Sequence, residues 1–125
     1  MIKSNTSLEQ SKKLAEFLPP ESADMWWLYV PAQGKHIAMM YEEPDPHYIA
    51  RMENYYGIKD AAIRCWSLAA LLDIIPEGQV NRMTSNGKWM AVSWPPEHYY
   101  IAKDYDTSVD ACYALILRLH KQNIL

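Results

Sequence analysis

Glycine is scarce in this chain, with four residues in 125. So little glycine leaves no phosphate-cradling loop, and neither a G-x-x-x-x-G-K segment nor a G-x-S-x-G elbow occurs. Cysteine is almost as rare. Cys65 and Cys112 stand alone, far apart and in no ligand-like spacing, which excludes zinc-ribbon and disulfide-scaffold classes. Both read as reduced, buried thiols acting as small hydrophobes. Basic runs are missing too: 12 Lys and Arg against 15 Asp and Glu give a formal net charge of −3. Nucleic-acid binders usually carry a concentrated basic footprint, so this balance argues against that partner class. No apolar run approaches the ~20 residues of a membrane helix. The opening "MIKSNTSLEQSKK" lacks the apolar stretch of a signal peptide. The expectation is a cytoplasmic chain with no membrane partner.

What is present is a globular composition rich in large rings. Half the residues are hydrophobic and 22% are charged, which places the chain away from disordered sequences. Five tryptophans and nine tyrosines accompany a single phenylalanine, so most rings pair an apolar body with a polar tip.

The pattern along the chain predicts alternating helical and extended pieces. Residues 7–18, "SLEQSKKLAEFL", form an amphipathic helix with Ser7 and Gln10 as a capping box, stopped by Pro19-Pro20. Met25–Val30 and His36–Tyr41 read as a β-hairpin around "PAQGK". "EEPDP" interrupts the pattern, and "HYIARMENYY" reads as a short helix ended by Gly57. Trp66–Ile75 is helical, with Ser67 as N-cap, and apolar nearly all round, which predicts a buried helix. "VNRMTS" and "KWMAVSW" flank Asn86-Gly87, a pair suited to a two-residue turn. "HYYIAK" supplies a third strand after Pro95-Pro96, and a last helix starts at Thr107 with Asp110 completing its cap. The expected fold is α+β, one domain over residues 1–125. It has an antiparallel sheet of about five strands, a hairpin plus a three-stranded meander. An N-terminal helix, a buried central helix and a C-terminal helix pack against it.

Chemistry-bearing groups are thin. The tryptophans at 26, 27, 89 and 94 fall on predicted strands, where sequence neighbours face opposite sides, so one of Trp26 and Trp27 faces away from the main core. Packing is the simpler role for these rings. The binding alternative is a stacking face, for which Trp27, Trp89 and Tyr99 are the candidates. Glu42 to His47, "EEPDPH", gathers carboxylates and an imidazole but lacks EF-hand spacing, so a solvated turn is the expectation. His36, His47, His98 and His120 show no H-x-H or H-E-x-x-H spacing, and His120 is expected inside the apolar arc of the last helix. No catalytic residue, cofactor or metal site is assigned.

Three segments carry a resemblance: "SLEQSKKLAEFLPPESADM", "WSLAALLDIIP" and "DTSVDACYALILRLHKQNIL". Together they resemble a family of small uncharacterised proteins from gut Bacteroidales and their phages or mobile elements. That resemblance implies a cytoplasmic protein of phage or mobile-element origin, with no activity to transfer. A meander running into Thr107, Asp110 and Ala111 is also similar to the strand-then-helix ending of HicB-type antitoxins, which implies association with nucleic acid.

Taken together, the residues favour a non-enzymatic domain that binds protein, as a homo-oligomer or accessory factor. The competing class is a small enzyme or ligand-binding protein with its pocket between meander and last helix. That class predicts a concave site where two or more of Glu97, His98, Asp104 and His120 converge.

Overall fold

The computed structural model describes residues 3–40, 43–94 and 99–125. The chain divides into two compact units: Ser7–Trp66 forms one, and Ser67–Leu125 with the segment ending at Thr6 forms the other.

The Ser7–Trp66 unit opens with α1 (Leu8–Ala15), whose Ser7 side chain accepts from the Gln10 amide while Gln10 reaches back to Ser7 N–H. Both halves of the predicted capping box are therefore formed. β1 (Met25–Val30) and β2 (Lys35–Met40) make the expected hairpin, with Val30 opposite Lys35 and Gly34 at φ 65° closing the turn onto Val30 O. A left-handed residue is needed at that place, and glycine meets it without a Cβ penalty. α2 (Pro46–Asn54) follows, N-capped by Asp45 and started by Pro46. β3 (Ala62–Cys65) then pairs antiparallel with β1, giving the order β2-β1-β3. α1 packs on β3, and Trp27 donates its Nε1–H to Ser11 Oγ on that helix at 3.2 Å. Leu14, Ile63, Cys65 and Met52 are buried here.

The second unit contains α3 (Leu68–Ile74), β4 (Gly78–Arg82), β5 (Trp89–Ser93), β6 (Tyr100–Tyr105) and α4 (Ser108–Lys121). Its sheet has the order β4-β5-β6, all antiparallel. α4 packs on all three strands and on α3. Val80, Ala91, Ser93 and Ala102 share the sheet face whose small residues let a helix approach closely. Val109, Cys112, Leu115, Ile116 and Leu119 supply the buried stripe of α4. Gly78 starts β4 directly behind α3; a Cβ there would stand 2.9 Å from Ile75 O, so the bend excludes a side chain. The N-terminal segment belongs to this unit. Asn5 bridges Ser67, Leu68 N–H donates to Ser4 O, and Lys3 pairs with Asp110 at 2.7 Å.

Four expectations need correction. There is no single five-stranded sheet: the described residues hold two three-stranded antiparallel sheets. The hairpin completes its sheet with β3, a four-residue strand inside a segment whose pattern gave no extended signal. The central helix is not buried all round, for Leu71 is covered while Ala69 and Asp73, one turn apart, face solvent. The Asn86-Gly87 turn is longer than two residues. Met83 N–H donates to Lys88 O and Gly87 N–H to Met83 O, so residues 84–87 form the loop.

Candidate functional site

β1 is the origin of the most distinctive surface. Its six residues, "MWWLYV", are all apolar or aromatic, so both faces of the sheet it centres are apolar. One face, with Trp27, Ile63 and Cys65, receives α1. The register assigns Trp26, Leu28 and Val30 to the other face, together with Met39, Ile37, Lys35, Ala62 and Arg64. Segment 43–48 crosses this second face. Tyr48 Oη donates to Tyr29 O at 2.5 Å, and Glu43 stands 3.8 Å from Arg64. Arg64 lies 4.5 Å above the Trp26 ring, a cation–π geometry.

Beside that segment an open groove of about 420 Å³ remains, lined by Leu28, Val30, Met39, Pro44, Asp45 and Tyr48. Its walls are almost wholly apolar. Met39 is 40% exposed, and Trp26, Leu28, Val30 and Ile37 are half-buried. A second open groove of about 450 Å³ runs along β3, where Lys12, Trp26, Asp60 and Arg64 contribute its polar edges. Arg64 is already engaged there, donating to Pro20 O.

The rings singled out by the sequence are not gathered. Trp27 belongs to the Ser7–Trp66 unit and is tied to Ser11 beneath α1, so it packs. Trp89 and Tyr99 sit at opposite ends of the β5–β6 pair: Trp89 opposes Tyr105, whereas Tyr99 precedes Tyr100 at the Ser93 end. Tyr99 is 55% exposed and meets Trp94 edge-to-face at 5.2 Å. Tyr55 and Tyr56 form another exposed edge-to-face pair at 5.1 Å.

The ionisable candidates also separate. Asp104 accepts from Asn86 Nδ2 near the β4–β5 loop. His120 is exposed near the other end of α4, its Nδ1 2.9 Å from Leu125 O, rather than within the buried stripe. The twelve helical steps from Ser108 to His120 span about 18 Å. Glu97 and His98 lie outside the described residues, as does Glu42 of the acidic loop. In that loop Asp45 is a helix cap and His47 N–H is its donor. Lys88 pairs with Asp106, whose hydrogen bond and charge hold the ammonium above its ordinary range, with Asp104 adding to the effect. Burial pushes the Cys112 thiol up to about 12, away from the thiolate that nucleophilic chemistry needs.

The half-open face was not among the sequence candidates. Its signal was nonetheless present: a strand apolar on both sides needs two covers, and a short amphipathic helix supplies one. Comparison with protein-family models, with curated proteins and with solved structures finds no match. Among the described residues no helix is long and apolar enough to cross a membrane.

Proposed function

We propose that this protein acts by binding protein, first of all a second copy of itself, through the half-open face of the β2-β1-β3 sheet. The observation that carries this reading is the contiguous apolar set Leu28, Val30, Ile37 and Met39 beside an open groove. Apolar surface that stays in contact with water is the usual mark of an interaction site. Burying it against a partner gains about 25 cal/mol per Å² of apolar area. The shallow, apolar groove offers a partner's side chains a seat, and its one carboxylate, Asp45, already caps α2. Such a site suits an accessory or oligomeric domain better than a catalyst.

Size-exclusion chromatography with light scattering tests the reading, at tens of micromolar protein. The expected result is a mass above that of one chain. Met39→Lys, which places an ammonium on the exposed edge of the face, should weaken association at least about tenfold while far-UV circular dichroism stays unchanged. A strict monomer that also retains no partner in pull-down would end the proposal.

A further inference from the structure

The four outer strands of the two sheets differ in how they treat their free edges. β6 carries a bulge, since between the pairs Trp89–Tyr105 and Ala91–Ala102 one β5 residue opposes both Lys103 and Asp104. Asp104 there has φ 70°, the left-handed conformation that twists such an edge away. β4, "GQVNR", is polar along most of its length and ends in Arg82. β3 is only four residues long, includes Arg64, and has α1 packed on it. These are the usual devices against edge pairing. β2 has none of them in its interior. Its six residues, "KHIAMM", hold one Lys, at the first position, and no proline or bulge.

Which amides face outward on β2 follows from β1. Tyr29 N–H donates to Ala61 O, on the β3 side. Alternation then directs Trp26, Leu28 and Val30 toward β2, and their partners Met39, Ile37 and Lys35 back toward β1. The backbone groups of His36, Ala38 and Met40 are left pointing out of the sheet.

We infer that β2 pairs antiparallel with β2 of a second copy about a two-fold axis at Ala38, joining two three-stranded sheets into one of six. This rests on the self-association reading above and names its geometry. Ala38 opposes Ala38 of the second copy, and His36 opposes Met40, so the three outward residues of each strand exchange hydrogen bonds. On the half-open face, Ile37 of each chain stands against Met39 of the other, which continues the apolar set across the axis. Charge favours the same register. The two Lys35 ammonium groups fall at opposite ends, six strand residues or about 20 Å apart. A two-fold at His36 would instead bring two imidazoles face to face and leave Met39 outside the paired length. The self-complementary interface is what a closed dimer requires.

Cysteine crosslinking of the full-length chain tests this. An Ala38–Ala38 hydrogen-bonded pair has Cα atoms about 5.5 Å apart, inside the range a disulfide spans. Ala38→Cys should therefore give a disulfide-linked dimer under mild oxidation, while Lys35→Cys should not. The native thiols are both buried and leave the background low. Ala38→Pro provides the second arm. Its amide points away from β1, on the free side of the strand, a place where edge strands accept proline. It should weaken self-association at least about tenfold in sedimentation equilibrium. A dimer that survives Ala38→Pro but is lost with Met39→Lys would overturn the strand pairing and keep the sheet-face reading. Equal crosslinking at positions 35 and 38 would overturn the register. A monomer that captures a different polypeptide would overturn self-pairing alone, and a monomer with no partner would overturn both.

Discussion

Cys112 sits on the buried stripe of α4, one turn from Val109 and from Leu115 and Ile116. Its place on an apolar helix stripe predicts a buried thiol, and it has no exposed surface. The consequence for acid–base behaviour needed the structure. Burial raises the thiol from 9.0 to about 12, so between those values the folded chain keeps a proton that the unfolded chain releases. Stability from this residue is complete below about pH 9 and is lost as pH climbs toward 12, with a limiting slope of about 1.4 kcal/mol per pH unit. Urea unfolding between pH 8 and pH 11 should show a steeper loss in the parent chain than in Cys112→Ala, whatever the variant's starting stability. Parallel slopes would remove this account. Trp27 marks the opposite case. Its ring type and strand position were equally consistent with stacking on a ligand and with packing. Only the hydrogen bond to Ser11 decides for packing, because sequence alternation says that two neighbours face apart and not which face a helix covers.

At the scale of elements, the legible features were those written in adjacent residues. Ser7, Ser67 and Thr107 each accept a backbone N–H from the residue three positions on, as N-caps do. Thr107→Ala leaves the Asp110 amide without its oxygen and should cost about 1 kcal/mol, read as a lower urea midpoint. Thr107→Ser should restore most of it, since the hydroxyl is the part that acts; equal losses in both would point to packing of the methyl group. Elements whose stability comes from distant partners were harder. β3 is four residues of mixed character, and only its pairing with β1 makes it a strand. The β4–β5 loop is another example. Asn86 and Gly87 are present as the sequence suggests, with Gly87 at φ 71°, yet Asn86 Oδ1 accepts from Lys88 N–H and the reversal takes four residues. Turn chemistry names the residues that bend, while register decides how many join them.

Across the whole molecule, chain order and spatial order part company, which is why one sheet was expected and two are found. Periodicity identifies a strand but carries nothing about its neighbour. A hairpin and a meander separated by a helix can merge or remain apart, and here a third strand closes the hairpin's sheet from within Ser7–Trp66. The same argument applies to the first residues. They precede one unit in sequence and belong to the other in space, held by the Asn5–Ser67 bridge, the Leu68 to Ser4 bond, buried Thr6 and the Lys3–Asp110 pair. Replacing residues 3–6 with glycines removes the buried side chain and the ion pair and loosens the backbone. The loss should come to about 2 kcal/mol or somewhat more, because a partly exposed pair contributes at most about 1 and each glycine adds unfolded-state freedom. Hydrogen exchange locates the effect: amides of α3 and α4 should lose protection with those of the meander. A variant that unfolds at the parent's urea concentration, with α4 protected as before, would place the segment outside the unit and undo this reading of the fold.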